Sequence, residues 1–192
     1  MLIRRVEEAD ARAILDIYAP YVAETSISFE YEIPSLGEMA SRIRELLPCY
    51  PYLAAVSEGQ LVAYAYAGPH KSRAAYQWNA ELSVYVDRNH RGRGTGRALY
   101  GALLEILARQ NFVNIYGVVT TPNPASQRLH EFFGFNPAGR LRRSGYKEGA
   151  WHDIVIYEKS LAAEEGPPAG IRPFNQLDET LLEAILARHS RA

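Results

Sequence analysis

The chain has 192 residues, which at about 150 residues per domain allows one domain and a remainder. Its 47% apolar and 22% charged content is that of an ordinary globular protein and excludes a disordered or fibrous chain. Lys and Arg number 21 against 22 Asp and Glu, a net charge of −1, so no overall positive field draws nucleic acid and charge-driven binding must be local. The longest uninterrupted apolar run, Leu61 to Ala67, has seven residues, against about 20 needed to span a bilayer. At the amino terminus, Glu7 and Glu8 arrive before any signal-peptide apolar core forms. The single cysteine, Cys49, makes neither an intrachain disulfide nor a multi-thiolate metal site, and it fits a reducing cytoplasm.

Leu2 to Val6 reads as a short strand, and from Asp10 the recurrence of Ile14, Ile17, Tyr18 and Tyr21 predicts a helix. Ser35-Leu36-Gly37-Glu38 has the form of a capping box, opening a second helix that Pro48 stops. Tyr52 to Ser57 and Gln60 to Ala67 read as strands joined in a hairpin across Glu58-Gly59, and Gly68 to Ala75 reads as a loop. The strand Asn79 to Val86 alternates, with Ala80, Leu82, Val84 and Val86 on one face and Asn79, Glu81, Ser83 and Tyr85 on the other.

After that strand comes Arg91-Gly92-Arg93-Gly94-Thr95-Gly96, then a helix to about Arg109 whose buried stripe is Ala98, Leu99, Ala102, Leu103, Ile106 and Leu107. Phe112 to Thr120 is a further strand, and Asn123-Pro124 caps a helix reaching Phe133. Phe135 to Arg142 and His152 to Lys159 complete the strands. Ala162 to Gly170 is small, acidic and interrupted by Pro and Gly, a linker in character; Leu177, Leu181, Leu182, Ile185 and Leu186 then line one face of a short amphipathic helix. The expected organisation is a unit over residues 1–161, with a linker and helix over 162–192.

A strand, a glycine-rich turn and a helix form the general arrangement that seats a phosphate on backbone N–H groups at a helix N-terminus. Arg91, Arg93 and Arg97 add positive charge there. A dinucleotide fingerprint needs glycine at position 97, which is Arg, and a Walker loop needs Gly-Lys-Ser/Thr where the chain has Gly96-Arg97-Ala98. The five histidines are too scattered for a local zinc pattern, so no metal is expected. Serine hydrolase chemistry lacks its Gly-x-Ser-x-Gly elbow. The thirteen tyrosines have no accompanying basic stripe and read as packing residues.

Arg-x-x-Gly-x-Gly, matched by Arg91, Gly94 and Gly96, resembles the acyl-CoA pyrophosphate loop of the GNAT acetyltransferases. Gly68 to Tyr76, Glu81 to Val86, Arg128-Leu129-His130-Glu131 and Gly145 to Asp153 together resemble the phosphinothricin N-acetyltransferase branch. The resemblance runs from about Leu2 to Leu161. It implies an α/β fold of α+β type, with a mixed, twisted, mostly antiparallel sheet flanked by helices, acetyl-CoA as co-substrate, and a homodimer.

Acetyl transfer to an amine requires a neutral nucleophile, so a general base must take a proton from the ammonium ion. Glu81, on the polar face of its strand, is suited to be that base, and a partly desolvated Glu would have its pKa raised toward neutrality. By resemblance this is the family's catalytic glutamate. His130 stands where many relatives carry a tyrosine that protonates the departing thiolate; it is either that acid or donor, or a histidine satisfied on its helix. Resemblance further assigns the Val84, Tyr85 and Val86 backbone to the pantetheine arm, with strand N–H groups there for the oxyanion. Arg91, Gly92, Arg93, Gly94, Thr95, Gly96 and Arg97 fall to the pyrophosphate, and Asn123 to the cofactor.

Phe29, Lys71, Arg73, Tyr76 and Tyr85 match positions around an amino-acid acceptor, where the two cations suit carboxylate and phosphinate. His70 stands where many members have tryptophan, and Asn79-Ala80 replaces a frequent Thr-Val, which leaves the acceptor open. Phosphinothricin, methionine sulfoximine or sulfone, and a peptide N-terminus are the candidate acceptors, and a non-catalytic acyl-CoA-binding module is the reading from another class.

Overall fold

A computed structural model of the chain describes residues 1–162 and 166–190. Its strands are β1 (Leu2–Arg5), β2 (Tyr52–Ser57), β3 (Gln60–Pro69), β4 (Asn79–Val86), β5 (Asn114–Thr121), β6 (Asn136–Lys147) and β7 (Ala150–Ser160). Its helices are α1 (Ala11–Ala23), α2 (Leu36–Leu46), α3 (Thr95–Arg109), α4 (Pro124–Phe132) and α5 (Glu179–His189). The strands form one sheet in the order β1-β2-β3-β4-β5-β7-β6. Every pairing is antiparallel except β4 with β5, which are joined by a crossover through α3. The mixed, mostly antiparallel sheet flanked by helices is the expected fold class.

Two apolar layers follow from the two-residue period of the strands. Leu53, Ala55, Ala63, Ala65, Ala80 and Leu82 face α3, where they meet Leu99, Leu103 and Ile106. Tyr52, Ala54 and Tyr64 face the opposite way, against Ile14, Tyr18 and Val22 of α1 and Met39 and Ile43 of α2. Both bonds of the Ser35 capping box are made: the Glu38 N–H donates to Ser35 Oγ at 3.2 Å, and the Ser35 N–H to Glu38 Oε2 at 2.6 Å.

Several boundaries differ from those the sequence suggests. β3 continues through Pro69, because Gly68 and Pro69 pair with Glu81 and Ala80, so the expected loop begins later. β5 starts at Asn114 rather than Phe112: the Phe112 N–H is taken by the Leu107 carbonyl and the Val113 N–H by that of Trp78. β6 and β7 are longer than expected, since a tight turn at Glu148-Gly149 pairs Tyr146 with Trp151 and Lys147 with Ala150.

The C-terminal helix packs on the same core. Phe174, Leu182, Ile185 and Leu186 are buried with Leu99 and Leu103. Polar contacts hold the segment at several points. The buried Gln110 amide donates to the carbonyls of Cys49 and Arg172, at 2.9 and 2.8 Å. Trp78 Nε1 donates to the Ala169 carbonyl at 2.8 Å, and the Ile3 N–H donates to Ser190 Oγ at 2.8 Å. Arg188 and His189 each lie 3.1 Å from Glu105 on α3.

Candidate active site

β4 and β5 are paired only at Asn79–Asn114, Ala80–Ile115 and Glu81–Tyr116. Beyond Glu81 both strands continue but part, leaving a wedge in the sheet. The wedge opens a cleft of about 530 Å³, lined by Leu82 to Val86, by Val118 to Thr120, by the glycine-rich loop and by the first turns of α4. Glu81 therefore stands at the apex and the loop at the far end of β4. Five residues of strand at about 3.3 Å each separate Glu81 from Val86, roughly 16 Å.

The loop end is built for an anion. Gly92 and Gly94 have φ of 76° and 81°, the left-handed region that a side chain strains, and Gly94 is the N-cap of α3. No side chain caps α3, so the backbone N–H groups of its first turn are left for a ligand. Arg91 and Arg97 line the cleft, their guanidinium groups seated over the rings of Tyr21 and Phe132 at 5.0 and 3.9 Å. Gly92, Gly94, Thr95, Gly96 and Asn123 line it too, whereas Arg93 points to Asn89, whose carbonyl it contacts at 3.3 Å. Asn123 also caps α4, its Oδ1 accepting the Ser126 N–H at 3.1 Å.

Along the arm of the wedge, the Asp87 N–H donates to the Val62 carbonyl of β3. Antiparallel alternation then turns the N–H and C=O of Val86 and Val84 away from β3, toward the open edge. Both groups of Val86 are already engaged by the Tyr21 hydroxyl, which donates to the carbonyl at 2.7 Å and accepts from the N–H at 3.2 Å. Val84, between Leu82 at the apex and Val86, thus turns its backbone to the open edge without that hydroxyl. The Tyr85 ring packs edge-on against Tyr18 and Tyr21 and over Tyr64, with centroids 5.0 to 5.2 Å apart. Tyr21 sits in the helical apolar pattern of α1, and nothing in that pattern separates it from a core residue.

At the apex Glu81 is half-buried, and that burial raises its carboxyl pKa, partly offset by the nearby His70 ring. His70 Nδ1 lies 3.6 Å from Glu81 Oε2. Lys71, Arg73 and Tyr76 lie on the segment joining β3 to β4, beside the apex rather than in the cleft. Lys71 and Arg73 are exposed, and the Lys71 ammonium sits 5.0 Å over the Tyr76 ring. Phe29 packs against Gly145 of β6, so closely that a Cβ there would come within 2.4 Å of the ring. The Phe29 segment is tied to the β6–β7 hairpin by Lys147 Nζ, which donates to the carbonyls of Val22 and Ser28 at 2.7 Å each.

His130 is buried beneath β5, its ring over Gly117, where a Cβ would lie 2.1 Å from Nε2. Its Nδ1–H donates to the Ser126 carbonyl at 2.8 Å, so Nε2 carries the lone pair that the Tyr100 hydroxyl fills at 2.9 Å. Burial lowers the His130 pKa and raises that of Tyr100. The proton that the pair holds near the cleft is the phenolic one. Tyr100, a cleft-lining residue of α3, falls in the apolar stripe of its helix and has no separate mark in the sequence.

A wedge between β4 and β5, a cationic helix N-terminus at its mouth and a carboxylate at its apex suit a long, phosphorylated acyl carrier and an amine acceptor. Residues 3–156 match the family described as an acetyltransferase (GNAT) domain. The phosphinothricin N-acetyltransferase of Streptomyces viridochromogenes is 37% identical over 91% of this chain and 95% of its own. An L-methionine sulfoximine/L-methionine sulfone acetyltransferase of Salmonella typhimurium is 29% identical over 88% and 99%. A phosphinothricin acetyltransferase of Sinorhizobium meliloti, solved in complex with acetyl-CoA, superposes with a TM-score of 0.86 at 31% identity, covering 91% of this chain and 96% of that one. No helix among the described residues is long and apolar enough to cross a membrane. The chain is an N-acetyltransferase of the GNAT family, within its phosphinothricin N-acetyltransferase branch.

Proposed function

We propose that the chain transfers acetyl from acetyl-CoA directly to the amino group of a small amino-acid-like acceptor such as phosphinothricin, with Glu81 as general base. The observation that carries this reading is the position of Glu81 where β4 and β5 part. The bound co-substrate supplies an activated thioester. The loop amides, Arg91 and Arg97 hold its pyrophosphate, and the Val84 backbone pairs with its amide-bearing arm as an added strand would. Thr95 and Gly96 form the floor of that anion site, and Asn123 closes it from α4. The Val84 N–H stands ready for the oxyanion.

Glu81 accepts the ammonium proton, and its partial burial raises its pKa toward that task. The thiolate proton is assigned to the Tyr100 hydroxyl, which His130 positions from Nε2, so His130 acts as the acid's partner rather than as the acid itself. Lys71 and Arg73 attract the acceptor's anionic groups, with Tyr76 and Phe29 as the apolar walls. The cell compartment proposed is the cytoplasm, and the oligomer a homodimer. Exposed Leu141, Tyr146 and Trp151 on the β6–β7 arm support a dimer.

The reading is tested by thiol release from acetyl-CoA across phosphinothricin, methionine sulfoximine, free amino acids and a short peptide. The expected result is turnover with phosphinothricin or the sulfoximine exceeding that with the peptide. Preference for the peptide overturns the small-acceptor reading. Acetyl-CoA binding without acetylation of any amine revives the non-catalytic module.

A further inference from the structure

Among the buried side-chain nitrogens and oxygens of the described residues, His70 Nδ1 and Gln110 Oε1 have no hydrogen-bond partner. Gln110 is structural, its amide nitrogen holding two carbonyls behind α3. His70 is different. Its ring is fixed by stacking on Tyr116, with centroids 4.1 Å apart and planes 18° from parallel, so that Nδ1 is aimed at Glu81. A nitrogen and a carboxylate oxygen 3.6 Å apart are just beyond hydrogen-bond range. A buried polar atom left unpaired destabilises the fold. One proton placed between the two atoms would satisfy both.

We propose that His70 is the second member of a proton-holding pair with Glu81, receiving the first proton that Glu81 takes from the acceptor. This rests on the reading of Glu81 as general base. Acylating an ammonium nitrogen removes two protons from it, one to expose the lone pair and one to leave the amide. A lone carboxylate holds one proton at a time. With His70 beside it, the ammonium N–H bond breaks as the Glu81 Oε2–H bond forms. That proton then passes to His70 Nδ1, which restores the carboxylate and leaves an imidazolium. The nitrogen lone pair forms the amide C–N bond as the thioester C–S bond breaks. Glu81 takes the second nitrogen proton, and the Tyr100 hydroxyl gives its proton to the thiolate. Of the two protons then held by Glu81 and His70, one restores the phenol and the other leaves to water, so charge and atoms balance.

Tyr116 of β5 lies over His70, and the phenols of Tyr66 on β3 and Tyr100 on α3 are raised chiefly by burial and in smaller part by the Glu81 charge. Tyr116 is itself raised by burial and by Glu158 of β7 and Tyr76. Lys71, next to His70 in the chain, is held over Tyr76. The phenols stay protonated at neutral pH, so the proton exchanged at the apex belongs to Glu81 and His70.

The sign of the pH effect follows. A base works when deprotonated, so its pKa marks the acidic limb of kcat/KM. Burial raises the Glu81 pKa and His70 lowers it, so removing His70 moves that limb to higher pH. His70→Phe keeps the stacked ring, and His70→Gln keeps a polar group that accepts no proton at this pH. Both are expected to move the limb up by about one pH unit and to lower kcat by roughly tenfold at the wild-type optimum, with acetyl-CoA affinity measured by calorimetry unchanged. Glu81→Gln is run beside them. A limb unmoved in both His70 variants, with kcat within about twofold of wild type while Glu81→Gln is impaired, overturns the pair and leaves the base reading standing. Full activity in Glu81→Gln removes the base reading and the pair together.

Discussion

Glu81→Gln is expected to lower kcat by about 10²–10⁴-fold, the range for loss of a positioned general base. Acetyl-CoA affinity should stay near wild type, because the substitution lies at the apex of the wedge and the phosphate-seating loop lies at the far end of β4. The pH dependence should change as well. Burial holds the Glu81 carboxyl above its ordinary range, so wild-type kcat/KM falls as pH drops through that raised pKa. In the glutamine variant this limb disappears, and the residual rate climbs with pH as free amine accumulates. Thiol-release kinetics from pH 5.5 to about 9.5 check both points. A variant with wild-type kcat and an intact acidic limb removes Glu81 from the chemistry.

The second large effect is on stability. Ile185 of α5 is fully buried against the α3 side of the sheet, in one apolar cluster with Leu99 and Leu103. Ile185→Ala should cost about 2–5 kcal/mol through lost transfer energy and the cavity left behind. In a chain of this size that is a fall in Tm of roughly 5–20 °C. Removing residues 166–192 should cost more, since it also bares the α3 surface beneath Leu182 and Leu186 and leaves the buried Gln110 amide without the Arg172 carbonyl. Scanning calorimetry of both variants reads the effect. A Tm within about 2 °C of wild type for the truncated chain would show that the tail lies on the domain without supporting it.

Much of this arrangement is legible in the sequence, for local reasons. The Ser35 box and the Asn123-Pro124 cap name helix starts because their bonds are made within three residues. The alternation of Asn79 to Val86 assigns the faces of β4 correctly, since Ala80 and Leu82 do face α3 and Tyr85 does meet the tyrosines of α1. The tyrosines pack as expected, in a run of rings through Tyr52, Tyr64, Tyr66 and Tyr85.

What the sequence conceals is non-local. Nothing near Val86 announces that Tyr21, 65 positions earlier, occupies its backbone. The pairing of Tyr100 with His130 spans 30 positions and two helices, and it decides which atom carries the cleft-side proton. His70 is visible as a departure from the family's pattern, but its aim at Glu81 depends on the antiparallel register of β3 on β4 and on a ring stacked across to β5. The extension of β3 through Pro69 is what carries His70 to the apex.

Direct transfer at the wedge is tested most squarely by initial velocities with acetyl-CoA and the preferred amine varied together. Cys49, the one cysteine, lies between α2 and β2, outside the cleft, so the site has no thiol to carry the acetyl group. Intersecting double-reciprocal lines, with an N-acetylated product by mass spectrometry and no acetylated protein when the amine is omitted, are the expected result. Parallel lines together with a covalently acetylated chain would contradict direct transfer to an acceptor activated by Glu81.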